Sequence, residues 1–197
     1  MGYEAAFQLD QQESDCWWGS KIWKTNAPLK TTIILWLALN NIHLTWEMLL
    51  KRGFEGPGIC SLCKAENKTH AHLFVHCVYA GIVWKLVVSK LDPSPSTEED
   101  QTLEQRMKIW WKNERVGQFE ALPALFVFTI WETRNRAIFK DTLTSPEINV
   151  NILVQKAKEH QKEIKQKPKR ELKPPSLDKS TPCHIPQFCK IMLIVLI

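Results

Sequence analysis

The chain has 197 residues, 44% of them hydrophobic and 24% charged, enough apolar surface for one ordinary domain or a small domain with appendages. Its net charge of +5 is unevenly placed: from residue 151 onward ten lysines and arginines face four acids, against sixteen and seventeen before it. A folded body that is basic throughout is therefore excluded, and the positive character belongs to the C-terminal part.

Residues 1–16 are polar and without periodicity, and a disordered lead-in is expected there. They hold no apolar run behind a charged start, so no secretory signal is read, and Ala6 stands where a myristoylation pattern wants Ser or Thr. "WWGSKIWK" (17–24) alternates large aromatics with small and charged residues, which is compatible with a short extended segment. Pro28 suits the first turn of a helix, and "LKTTIILWLALNN" follows with apolar residues on nearly every face until Asn40-Asn41 ends it. Thr45 fits an N-cap for "WEMLLKRG", with Gly53 as the C′ residue that closes it. These two helices are expected to pair, with Trp17, Trp18, Trp23 and Trp36 packed around them.

"FEGPG" (54–58) reads as a loop, and from Leu73 to about Leu91 apolar residues recur at helical spacing, with Phe74, Cys77, Val78, Gly81 and Ile82 as inward candidates. "DPSPSTEED" (92–100) is acidic and broken by prolines, which marks a linker. Helices are expected over about 101–114 and 119–140, the latter carrying a stripe of Phe128, Trp131, Asn135, Ile138 and Phe139 that reads as a core face. Arg134 and Arg136 beside it fit an ion-paired surface. Ser145 and Pro146 restart a helix as N-cap and N1. From Lys165 the composition is that of a disordered basic tail. Cys183 and Cys189 within it have no C-x-x-C partner. The apolar end "IMLIVLI" and the first apolar helix both fall short of the roughly 20 residues that span a bilayer.

One segment concentrates metal-ligand side chains: "CSLCKAENKTHAHLFVHC", residues 60–77. Cys60 and Cys63 have the C-x-x-C spacing that turns two thiolates toward one ion, and Zn²⁺ completes four N/S ligands tetrahedrally. Four residues compete for the second pair: His70, His72, His76 and Cys77. Thr69 can cap a helix that begins there. On a regular α-helix His72 and His76 share a face, whereas His72 and Cys77 lie about 140° apart. Spacing leaves the choice open. A Cys–His nucleophile would need an oxyanion hole and an orienting third group, and the sequence offers neither. A catalytic zinc keeps a position open for water, so a surplus of ligands favours one closed, structural Zn²⁺.

The order "WWGSKIWKTNAPLK", "LWLAL", "LLKRG", C-x-x-C, "HLFVHC" and Val83-Trp84 resembles the zinc-binding domain that follows the reverse transcriptase in plant LINE-type (non-LTR) retrotransposons. "IWETRNRAIF" (130–139) is similar to the helix that follows in the same proteins. The resemblance implies Cys60, Cys63, His72 and Cys77 as ligands, with His76 and His70 as alternates, and an irregular helix start that lets Cys77 reach the ion. It also exposes departures: Ser61 and Lys64 stand where the family often has Pro and Gly, and Lys68 where a Glu is common.

The expected architecture is mainly α. A lead-in (1–16) precedes a small zinc-stapled helical domain (17–92), a linker (93–105), a helical extension (106–164) and a disordered basic tail (165–197). No Y-x-D-D-like carboxylate pair that would hold catalytic Mg²⁺ occurs, nor a recognisable ribonuclease-H-like segment, so the chain reads as no enzyme and no small-molecule substrate is expected. The resemblance points to RNA or DNA as partner, and Lys165, Lys167, Lys169 and Arg170 are the candidate phosphate contacts. A protein-interaction module or a non-functional element remnant with little nucleic-acid affinity is the alternative. The nucleus or the cytoplasm is the expected location, with no membrane span and six cysteines suited to a reducing setting. Oligomeric state is left open.

Overall fold

The computed structural model describes residues 17–43, 50, 53, 55–56, 58–67, 69–91, 102–112 and 119–166. Within them lie α1 (Trp18–Lys24), α2 (Leu29–Leu39), a π-helical turn (His72–His76), α3 (Val78–Leu91), α4 (Leu103–Lys112), α5 (Leu122–Phe139) and α6 (Pro146–Gln166). Among the described residues there is no strand, and one isolated antiparallel bridge joins Ile59 to Asn67. The mainly α architecture is therefore as expected. No described helix is long and apolar enough to cross a membrane. Thr45, the linker up to Gln101, and the tail beyond Gln166, with Lys167, Lys169, Arg170, Cys183 and Cys189, lie outside the described residues.

The segment expected as extended, 17–24, is instead helical. Trp18 and Ile22 stand four apart and are both buried, with Gly19 beside them, so the large side chains share one helical face. The next helix, α2, is buried from Thr31 through Ala38, which explains its nearly continuous apolar sequence. Its first turn is closed by the Thr31 hydroxyl donating to the Pro28 carbonyl at 2.7 Å. It ends where the Asn40 amide donates to Trp36 O at 2.9 Å and Asn41 enters the left-handed region. Gly53 takes φ +78 with its N–H on Leu50 O, while the rest of the helix expected over "WEMLLKRG" lies outside the described residues.

Helix α4 opens on a reciprocal capping box. Gln105 N–H donates to Thr102 Oγ1 and Thr102 N–H to Gln105 Oε1, at 3.1 and 3.0 Å. Leu103, Glu104 and Gln105, assigned above to the linker, are thus its first turn. Lys165 and Gln166, assigned to the tail, are the last residues of α6.

Helix α2 packs on α5, α3 packs on α6, and α5 packs on α6. The ring of Trp84 (α3) meets Trp110 (α4) at 5.3 Å and Phe126 (α5) at 4.8 Å, both edge-on. The core therefore runs without a break across the sequence division at 93–105. A buried polar network also spans it: Asn149 donates to Tyr79 Oη and to Thr133 Oγ1, each at 2.9 Å, and Tyr79 donates to Thr144 O. Groups satisfied in this way fix the register of three helices.

The stripe on α5 is a core face only in part: Phe128 and Trp131 are partly buried and pack against the core. Phe139 is 77% exposed and Ile138 is exposed, while Leu122, Leu125, Phe126 and Ile130 are fully or nearly fully buried. The stripe therefore runs from the packed middle of α5 out to its exposed C-terminal end. Arg136 pairs with Glu132 at 3.0 Å, as an ion-paired surface requires.

Candidate metal centre

Chain geometry at residues 59–67 makes a compact knuckle. The Ile59–Asn67 bridge closes it, Cys60 N–H donates to Glu66 O at 2.7 Å, and Lys64 N–H donates to Cys60 O at 2.9 Å. Leu62 is buried beneath, so Cys60 and Cys63 stand side by side with their thiols on one side.

The returning residues come from the π-helical turn. Thr69 Oγ1 accepts the His72 N–H at 3.0 Å, which anchors its start. Cys77 N–H then donates to His72 O at 2.6 Å, five residues back, and at Cys77 the backbone becomes extended with ψ 122°. A bond from i to i+5 takes up one more residue per turn than an α-helix. That extra residue stacks Cys77 near His72 and removes the angular mismatch of a regular helix. It also rotates everything downstream by about 100°. Tyr79, Ala80, Val83, Trp84 and Val87 therefore face inward, whereas Val78 and Ile82, expected inside, are exposed.

The ligand atoms of Cys60, Cys63, His72 and Cys77 all lie within 4.8 Å of one another. Cys60 Sγ is 3.9 Å from Cys77 Sγ, and Cys63 Sγ is 3.3 Å from His72 Nε2. A tetrahedron with Zn–S bonds of about 2.3 Å has edges of about 3.8 Å, so the donor set fits zinc in both chemistry and size. His72 donates from Nδ1 to Glu66 Oε2 at 3.0 Å, which leaves the Nε2 lone pair to face the ion. Without metal the thiols compete for a proton. The Cys77 thiol beside Cys60 holds Cys60 down at about 4, and the same hydrogen bond, with burial, pushes Cys77 up. Zinc relieves that competition by taking both as thiolates and releasing protons.

The alternates stay outside. His76 is exposed, on a groove it shares with Glu66, Asn67 and Thr69. His70 is buried against Phe74, ring centroids 5.1 Å apart, and burial pushes it down to about 4. Beside it His43, absent from the sequence-based candidates, lies 4.3 Å from the Trp131 ring with Nε2 2.9 Å from Ile34 O. Burial holds it neutral, down at about 3.

Residues 3–84 match the family model for zinc-binding in reverse transcriptase. No curated protein and no solved structure matches the chain. The cluster fits a single Cys₃His zinc site, and the match is consistent with a zinc-binding module. The match ends at Trp84, so α4, α5 and α6 lie beyond it.

Two residues that hydrogen-bond to the ligand-bearing turn were not singled out from the sequence. Glu66 had a weak signal, an acid within the loop between the two ligand pairs. Arg106, in α4, had none: nothing near it in sequence hints at the site it reaches.

Proposed function

We propose that this chain is a non-catalytic, structural zinc module from a reverse-transcriptase polyprotein, ligated by Cys60, Cys63, His72 and Cys77, that assists binding of RNA or DNA. The observation that carries it is the closed donor set: four N/S ligands at tetrahedral spacing leave no position for a reacting water. Zinc in such a site supplies fold energy, with apparent binding energies of about 10–16 kcal/mol in zinc-finger peptides. The ordered motifs from Trp17 to Val83-Trp84 favour a LINE-type element of plants as its source. Nucleic acid is engaged through exposed lysines at the end of α6, Lys158, Lys162 and Lys165, continuing into Lys167, Lys169 and Arg170. The protein works in the nucleus or the cytoplasm.

A scaffolding role with little nucleic-acid affinity is the second reading, favoured by the near-neutral charge of residues 1–150. Gel shifts of the full chain with RNA and duplex DNA across a salt series decide between them. Binding whose affinity falls steeply with salt supports phosphate contacts. No shift at low salt leaves the scaffolding role.

A further inference from the structure

We propose that Arg106 is a positioning residue of the zinc site, and that docking of α4 and metal binding are coupled through it. Arg106 is buried, 7% exposed, and reaches across from α4 to the π-helical turn. Its Nη1 donates to Phe74 O at 2.8 Å and its Nη2 lies 3.4 Å from Val75 O. The guanidinium stands 5.5 Å over the Trp84 ring. Phe74 and Val75 lie between the two ligands of this turn, His72 at its start and Cys77 at its end.

The chemistry follows from the shape of the turn. The extended backbone at Cys77 carries the chain away from the helical donors that the carbonyls of Phe74 and Val75 would otherwise meet. Arg106 donates to them instead, and its planar fork suits two successive carbonyls where a lysine supplies a single point donor. The guanidinium in turn gains two acceptors from those carbonyls, which favours a buried cation. Each side thus supports the other: the turn holds its ligand-bearing form when Arg106 is in place, and Arg106 finds these two acceptors when the turn has that form. By linkage, whatever factor α4 docking adds to zinc affinity, zinc adds to α4 docking. Arg106 lies outside the segment that the family model matches, so the zinc site draws part of its support from beyond that segment.

The proposal rests on the ligand assignment above. Failure of that assignment appears as a wild-type chain that gives no tetrahedral thiolate spectrum with Co²⁺. Failure of the coupling leaves that spectrum intact. The test compares full-length wild type, Arg106→Met, Arg106→Lys and Glu104→Gln. Glu104 lies on the same helix but accepts from Trp17 Nε1, away from the turn. Zinc affinity is read by chelator competition, and site geometry by the Co²⁺ ligand-field bands. Arg106→Met is expected to lose about 10- to 100-fold in zinc affinity, as losses of outer partners do, with altered bands. Arg106→Lys should recover part of both, and Glu104→Gln should match wild type. Wild-type affinity and bands in Arg106→Met overturn the proposal, as does an equal loss in Glu104→Gln.

Hydrogen exchange on unaltered protein gives a second reading that needs no variant to fold. On chelation of zinc, amides of α4 should lose protection with those of the π-helical turn and more than those of α6. An α4 that keeps its protection, or a uniform loss along the chain, overturns the coupling.

Discussion

Replacing Lys64 by glycine should stabilise the zinc-loaded protein. Among the described residues four non-glycines have positive φ: Asn26, Asn41, Asp141 and Lys64, the last at +56°. Asn and Asp reach this region through their short polar side chains, but a lysine has no such compensation. The Lys64 N–H is also tied to Cys60 O at 2.9 Å, so the turn cannot relax without opening the knuckle. The left-handed conformation costs about 1–2 kcal/mol for a residue with a Cβ. Glycine gives back part of this, about 0.5–1 kcal/mol, in freedom lost on folding. The net gain is about 0.5–1 kcal/mol, or a Tm rise of a few degrees at this chain length. Thermal and urea unfolding at fixed free zinc measure it. Lys64→Ala is the decisive control, because it removes the ammonium but keeps the Cβ. If Lys64→Ala stabilises as much as Lys64→Gly, or Lys64→Gly has no effect, the backbone argument fails.

Metal analysis separates the competing histidine and cysteine. His76→Ala should retain one zinc per chain, and Cys77→Ser should lose it together with helical signal; the reverse pattern refutes the assignment. Acid should weaken the fold in part through His43, whose folded pKa of about 3 lies below its ordinary value of 6.5 because of burial. Protonation then favours the unfolded chain, so stability present above pH 6.5 is lost as pH falls toward 3, by about 1.4 kcal/mol per unit. Urea midpoints from pH 7.5 to 5 should fall less steeply in His43→Gln, which keeps a donor for Ile34 O without titrating. Equal slopes in the two proteins would remove His43 from the account.

Helix content was legible where local signals agree. Pro28, the Asn40-Asn41 stop, Pro123 and Ser145-Pro146 mark helix ends by backbone chemistry that acts within a few residues. The metal-binding segment was equally plain, because C-x-x-C with returning His and Cys is a local pattern that chance rarely produces. What local spacing left undecided was the fourth ligand. A periodicity of 3.6 residues cannot foresee a turn bonded five residues apart, and one inserted residue also displaced Val78 and Ile82 from the interior to the surface.

Faces and partners were decided only by tertiary packing. Phe139 and Trp131 share a stripe in the sequence, yet Trp131 packs against buried His43 while Phe139, at the end of α5, stands in solvent. Arg106 and Trp110 look like ordinary members of an amphipathic helix after a linker. They are buried with Trp84 and the π-helical turn because burial rewards contact regardless of distance along the chain. The sequence by itself determined that the chain is helical and where it gathers a metal. The tertiary structure decided which four of the candidate side chains gather, which helices meet, and which distant arginine contacts the π-helical turn, since these depend on how elements far apart in sequence come together.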